Sequence, residues 1–262
     1  MKRVLACGDL HCGHRAGLTP PRYQYPHRSS ATRKVKEWGR VQKELWDHWR
    51  ERVEAIQPVH VLLVNADVID GKGDKSGSTE QITADFQEQC DMAIEALSIV
   101  EADSIVMTHG TPYHVSGRDG TDYEAFVARE LGAHIGGHEW IEVEGVVFDL
   151  KHKIGASQVP HGRHTAIARE RLWNVLWAER DYAPKADVLL RSHVHYFSYC
   201  GWSNWLAMTL PALQGPGSKF GVRQCAGTVD FGFVSFDCDQ GRYQWQTHIL
   251  EIRAGKPEPI KC

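Results

Sequence analysis

An α/β fold whose core is closed by a second sheet is what this 262-residue sequence predicts. Three observations carry that prediction. Short apolar, β-branched runs alternate with amphipathic stretches from the N-terminus to about residue 190. After residue 200 the texture turns to strands and a hairpin. Apolar residues make up 42% and charged residues 24%, the ordinary balance of a globular chain with a large core. Alternating strands and helices followed by strands alone belong to layered α/β architectures. The length suits one domain over residues 1–262.

Each element follows from its own stretch. Residues 4–7 are an apolar run ending at Gly8-Asp9, hence a buried strand. Residues 13–33, rich in Pro, Arg, Tyr and Ser and without periodicity, read as a long ordered loop. Over 38–57, Val41, Leu45, Trp49, Val53 and Ile56 form one helical stripe, which Pro58 stops. Residues 59–64 are the next strand. After a Gly/Lys/Ser loop at 71–78, Ser78-Thr79-Glu80-Gln81 has capping-box spacing. It predicts a helix running to about Val100, striped by Phe86, Cys90, Ile94 and Leu97. Residues 104–108 are a strand, and 123–131 a short helix closed by Gly132. Residues 140–147 and 147–152 read as strands of the second sheet. Residues 163–179 are helical, with Ile167, Leu172, Val175 and Leu176 apolar. Strands follow at 186–190, 205–213, 228–236 and 242–250, the last two joined by a turn at 237–241. The tail from Ala254 is polar and reads as a loose end.

Metal-ligand side chains cluster where five of these strands end. They are Asp9 and His11, Asp67 and Asp70, Thr111 and His114, His152, and His193 and His195. On an extended strand end, residues i and i+2 point to one face. Asp9/His11 and His193/His195 are therefore two-pronged clamps. Open α/β sheets bind ligands at the carboxyl ends of their strands. Five clusters in such places imply one site, with two metal ions.

In order and approximate spacing the clusters resemble the calcineurin-like metallophosphoesterases. That family reads D-x-H, G-D-x-x-D, G-N-H, a lone His and G-H-x-H, and the match runs over residues 9–195. There are two departures. Ala66 stands where Gly is usual. Thr111 stands where the family has an Asn ligand, with two extra residues before His114. The Gly-Thr-Pro-Tyr-His variant is similar to that of phosphoesterases encoded by bacteriophages and prophages.

The resemblance implies a two-sheet β-sandwich flanked by helices in four layers. It implies a pair of divalent cations, Mn²⁺ first, with Fe, Zn²⁺ or Ni²⁺ as alternatives for N/O ligands of this kind. Asp9, His11, Asp67 and His195 would hold one ion. Asp67, His152, His193 and a neutral ligand would hold the other, that ligand being the Thr111 hydroxyl, a water or His109. A hydroxide bridging the metals would attack phosphorus. His114, oriented by Asp70, would protonate the leaving oxygen, or else would itself ligate. Arg163 and Arg15 are the candidate substrate-binding residues. Arg163 lies in His161-Gly162-Arg163-His164, which opens a helix whose N-terminus suits a phosphate. His14, Lys72 and Lys75 occupy loops after the same strand ends.

The implied substrate is a phosphate ester, diesters before monoesters, with nucleic acid among the diesters. The D-x-H-x-G form at Asp9–Gly13 is similar to the nuclease and phosphodiesterase branches. Lys72 departs from the D-R-G extension of protein phosphatases. Two other readings stay open: a phosphomonoesterase or protein phosphatase, and a non-catalytic metal-binding scaffold on the same fold.

Composition narrows the class further. A net charge of −3 gives no basic footprint for nucleic acid. Seven cysteines without C-x-x-C spacing fit reduced thiols and a cytoplasmic setting, bacterial or phage-infected on the resemblance. The apolar stretch at 4–7 is far short of the ~7–15 residues of an export signal, and nothing approaches the ~18 of a membrane span. His134 and His138 have Gly136 and Gly137 between them, which argues against a helical zinc pair. His27, His48, His60 and His248 read as structural or surface residues.

Overall fold

The computed structural model describes residues 1–25, 33–73, 77–115, 120–157, 159–219, 221 and 228–252. His27, Lys75, Cys225, Cys262 and the tail from Ala254 lie outside them. The first sheet contains β1 (Lys2–Cys7), β2 (Val61–Val64), β3 (Ser104–Thr108), β4 (His134–Gly136), β10 (Phe231–Asp239) and β11 (Arg242–Leu250), in the order β11-β10-β1-β2-β3-β4. The second contains β5 (Glu139–Val143), β6 (Val146–Leu150), β7 (Val188–Arg191), β8 (Ser198–Trp202) and β9 (Trp205–Thr209), in the order β5-β6-β7-β9-β8. Strands β1 to β4 run parallel, as do β6, β7 and β9. The helices are α1 (Arg33–Ile56), α2 (Phe86–Ser98), α3 (Pro112–Val115), α4 (Tyr123–Glu130) and α5 (Pro160–Glu179).

Alternation along β1 sets the layers. Val4 and Ala6 face the second sheet, packing with Phe148, Leu190 and Phe236. Leu5 and Cys7 face the helices, packing with Leu45, Trp49, Cys90 and Ala93 of α1 and α2. Phe148 and Phe236 meet edge to face with ring centroids 5.2 Å apart, locking sheet to sheet. The fold is thus two sheets face to face, flanked by helices. The five described cysteines are free. Among the described residues no helix is long and apolar enough to cross a membrane.

Three local readings are corrected. The helix expected from Ser78 begins at Phe86. Ser78 sits at φ 56°, whereas an N-cap residue needs extended backbone. Asp85 supplies that backbone, and its carboxylate accepts from the Gln87 and Glu88 N–H groups. Two strands not foreseen form sheet edges: β4 in the first sheet beside β3, and β8 in the second beside β9.

The third correction concerns α5, which turns its polar face inward. Ile167, Glu170, Arg171 and Asn174 are buried, while Leu172, Val175 and Leu176 are 58%, 39% and 42% exposed. The cause lies at the end of β7. Arg191, 1% exposed, bonds Glu170 through Nε at 2.9 Å and pairs with Asp149 at 2.7 Å. Leaving a buried charge unpaired costs about 3–5 kcal/mol. Half-exposing a Leu or Val costs roughly 1 kcal/mol.

Candidate metal centre

The carboxyl ends of β1, β2, β3, β6 and β7 converge, and each delivers its part of the cluster set. The chains leaving β1 and β2 stay in register beyond the strands: Asp9 N–H donates to the Ala66 carbonyl and His11 N–H to the Asp67 carbonyl, both at 2.9 Å. The clamps are not extended, however. Asp9, His11, Ala66, Asp67, His193 and His195 have φ of 51°, 46°, 66°, 49°, 75° and 55°. Each of these non-glycine residues is in the left-handed region, at about 1–3 kcal/mol apiece. Asp9 and His11 nonetheless reach one cluster, while His193 and His195 divide between two clusters. The i+2 spacing is legible in sequence, whereas this conformation is not.

The first cluster is Asp9, His11 and His195, whose ligand atoms lie within 4.8 Å of one another. His11 Nε2 and His195 Nε2 are 3.2 Å apart, and His195 Nε2 is 3.6 Å from Asp9 Oδ1. All three residues are buried. Asp9 Oδ2 accepts the His193 N–H at 2.9 Å. Asp9 Oδ1 has no hydrogen-bond partner among the described residues, a costly state for a buried carboxylate oxygen that a cation would relieve.

The second cluster is Asp67, His152 and His193. Thr111, and not His109, completes it. The Thr111 hydroxyl is 3.1 Å from Asp67 Oδ2, 3.4 Å from His152 Nε2 and 3.5 Å from His193 Nδ1. Asp67 Oδ2 and His152 Nε2 are 3.1 Å apart. Tetrahedral ligands about 2.0–2.2 Å from a cation stand roughly 3.3–3.6 Å from one another. The donors are spaced to fit a cation among them. His109 instead turns outward, its Nδ1 3.2 Å from Asp122.

Second partners fix the ring orientations. His152 Nδ1 faces the Asn65 carbonyl at 3.0 Å, which leaves Nε2 for the cluster. His11 Nδ1 bonds Asp70 Oδ1 at 2.9 Å with the same result. His114 is carried by α3, the short helical turn made by the two extra residues of its motif. Its Nδ1 is 2.8 Å from the Asp70 main-chain carbonyl and 3.7 Å from the Asp70 carboxylate. Asp70 thus reaches His114 chiefly through its backbone, while its carboxylate goes to His11. The His114 ring packs edge-on to His11, with centroids 4.7 Å apart.

Sequence reasoning missed Glu124, Gln81 and Gln89. Glu124 is fully buried and accepts the Val68 and Gly110 N–H groups, one with each oxygen, bracing both ligand loops. Gln89 Oε1 accepts the Asp70 and Gly71 N–H groups, and Gln81 donates to Asp70 Oδ2. Only Gln81 left a trace in the sequence, where it resembles half of a capping box.

Of the candidate substrate residues, Arg15 pairs with Glu80 at 2.9 Å and stacks on Trp38, and His14 is buried beside Glu80. Lys72 lies over the Phe86 ring. Arg163 lies 3.9 Å over the Tyr196 ring and donates to the Thr228 hydroxyl at 2.8 Å. His134 pairs with Glu139 from a strand, and His138 with Asp149.

Electrostatics set the two clusters apart. Burial opposes charge on His152, but the adjacent Asp67 carboxylate overrides it and raises the imidazole to about 10. Burial would likewise raise Asp67, yet His152 holds it well below the usual carboxylate range. His193 is pushed down to about 4 by burial, and burial also lowers His11 against the pull of Asp70. Burial and then the Asp67 charge push Glu124 up to about 8. The His152–Asp67 pair holds a proton where a cation would otherwise balance the charge.

No protein-family model and no curated protein matches the chain. Several solved structures are similar to it. Zinc-complexed wild-type Vps29 from Entamoeba histolytica is 14% identical with a TM-score of 0.47, over 96% of this chain and 94% of that one. An archaeal phosphodiesterase is 11% identical with a TM-score of 0.45, over 94% and 99%. A conserved predicted phosphoesterase from Streptococcus pneumoniae is 10% identical with a TM-score of 0.41, over 94% and 90%. Similarity at this level carries no argument about activity.

Proposed function

We propose that this chain is a metal-dependent phosphoesterase acting on phosphodiesters, with two divalent cations held by Asp9, His11 and His195 and by Asp67, His152, His193 and Thr111. The spacing of the four donors in the second cluster, beside the orphaned Asp9 oxygen of the first, is the observation that carries the reading. Asp67 also lies within reach of His11 and His114, so it is the carboxylate between the clusters, and His114 stands close enough to ligate as well. Such cations, when bound, make hydroxide available near neutral pH and neutralise phosphoryl oxygens.

The chain's own part is positioning and proton transfer. Its Nδ1 committed to the Asp70 carbonyl, His114 keeps the opposite edge of the ring for exchange with substrate. A proton held at His114 Nε2 passes to the leaving oxygen, a contribution of about 10²–10⁴-fold. Tyr113, half-buried with its ring 4.1 Å from that of His114, limits the motion of the imidazole.

The test uses metal-stripped protein re-supplied with Mn²⁺, on bis(p-nitrophenyl) phosphate and p-nitrophenyl phosphate. Metal-dependent turnover favouring the diester is expected. Asp67→Asn loses both metal content and hydrolysis, and retention of both would overturn the reading. His114→Ala keeps its metals and slows an alkyl diester more than the nitrophenyl one, because nitrophenolate leaves without a proton. Two bound ions with no turnover of any ester would mark a scaffold instead.

A further inference from the structure

A pocket of about 310 Å³ is lined by Pro160, Arg163, His164, Phe197, Ser198 and Tyr199. Its lining is of two kinds. One wall is cationic or donating: Arg163, and His164, whose Nδ1 is 3.3 Å from the Ser198 hydroxyl. The other wall is aromatic. Phe197 and Tyr199 are 5.7 Å apart between centroids, and Tyr199 rests edge-on against Trp245 at 5.0 Å. Tyr199 is nonetheless 49% exposed, so part of a braced aromatic ring remains open. The guanidinium is also braced, stacked on fully buried Tyr196 and tied to Thr228.

The pocket is joined to the candidate centre by a short stretch of chain. Phe197 follows His195 by two residues, at most roughly 7 Å of backbone. Asp230 clamps that span, its N–H donating to the His195 carbonyl at 2.9 Å and its carboxylate accepting the Phe197 N–H at 2.7 Å. This link keeps the pocket's Phe197 within two residues of a ligand of the first cluster.

We propose that this pocket binds the nucleoside monophosphate unit next to the scissile phosphodiester, its phosphate on Arg163 and His164 and its base against Tyr199 and Phe197. The proposal rests on the phosphodiesterase reading and names its substrate class: a nucleotide chain. With Nε buried and Nη2 on Thr228, the Arg163 guanidinium would meet a phosphate through Nη1. An exposed aromatic face suits any base by stacking, without sequence preference. The net charge of −3 fits recognition by one local pocket better than by a broad basic surface.

Binding of adenosine 5′-monophosphate to metal-stripped protein, measured by titration calorimetry, tests this without any turnover. Adenosine 5′-monophosphate binds more tightly than either adenosine or ribose 5-phosphate. Tyr199→Ala weakens it about tenfold, Tyr199→Phe leaves it within about twofold, and Arg163→Ala weakens it about tenfold or more. Tyr199 is a surface residue, so its variants keep the proposal testable if Arg163→Ala fails to fold. No binding at millimolar nucleotide, or equal binding by wild type and Tyr199→Ala, overturns the subsite. Metal-dependent hydrolysis of bis(p-nitrophenyl) phosphate by wild type, run alongside, shows whether the phosphodiesterase reading stands when the subsite falls.

Discussion

His11 of the first cluster is steered by a side chain, the Asp70 carboxylate, whereas His152 of the second is steered by main chain, the Asn65 carbonyl. The same contrast extends to the carboxylates. Asp9 Oδ1 has no hydrogen bond among the described residues and its Oδ2 accepts the His193 N–H, while Asp67 Oδ1 accepts the Thr111 N–H and its Oδ2 the Thr111 hydroxyl. The second cluster thus takes its geometry from the Gly110-Thr111 loop. The first has one main-chain bond, from His193 to Asp9, and otherwise depends on individual side chains. A substitution that moves backbone should strike the second, and one that removes a side-chain partner should strike the first.

Gly110→Ala is the largest break. A Cβ there would stand 2.2 Å from Asp67 Oδ1 and 2.7 Å from the Asp67 nitrogen, so the loop or Asp67 has to move. Affinity at the second cluster should fall by more than about 100-fold, the upper range for disturbed ligand support. The first, which shares Asp67, should weaken less, so elemental analysis after gel filtration should find fewer than two ions per chain. Two retained ions would show that the loop does not set the second cluster.

Side-chain deletions separate the clusters from the other direction. Asp70→Asn replaces the carboxylate facing His11 by a weaker acceptor and should weaken the first cluster by about 10–100-fold. Thr111→Val should weaken only the second, about tenfold or more, and Thr111→Asn should restore it. Competition against a chromogenic chelator resolves two affinities in one titration. Equal losses at both affinities in either variant would dissolve the distinction drawn here.

Protons sharpen the contrast further. Without metal, His152 has a pKa of about 10 because Asp67 stabilises its charged form, so it is protonated across the neutral range. A cation entering the second cluster has to displace that proton. Affinity there should rise about tenfold per pH unit from pH 7 to 9 and level off above about 10. Burial keeps His11 below its ordinary value, so its protonation does not oppose the first cluster over that range. Calorimetry in buffers of different ionisation enthalpy counts the protons, and loading the second cluster should release the His152 proton. A pH-independent second affinity would contradict the assignment.

The strand ends and the clustered ligands were legible because both are local. An apolar run followed by Asp9 and His11, or by His193 and His195, needs no knowledge of the rest of the chain. What was not legible depended on distant partners. Leu172, Val175 and Leu176 have helical spacing, yet they face outward because Arg191, from another element, demands Glu170. Glu124 sits in an ordinary helix, and only the fold puts it beneath Gly110 and Val68. The two extra residues before His114 carry no local sign of their conformation. They are wound into α3, which returns the imidazole to His11.

Ala66 gives the smallest effect and the finest comparison. It precedes Asp67 at φ 66° and is fully buried, so the arm of the second cluster carries a strained alanine where the first has Gly8 in the corresponding place. Ala66→Gly relieves a left-handed cost of about 1–2 kcal/mol. It gives back about 0.5–1 kcal/mol in chain entropy and about 0.8 kcal/mol of buried methyl. The terms cancel to within about 1 kcal/mol, and urea unfolding of metal-stripped protein should show no larger change. Metal stoichiometry should also be unchanged, because the Asp9-to-Ala66 and His11-to-Asp67 backbone bonds do not involve the methyl group. A loss of several kcal/mol would mean that the Ala66 methyl, and not the paired backbone, holds Asp67 in place.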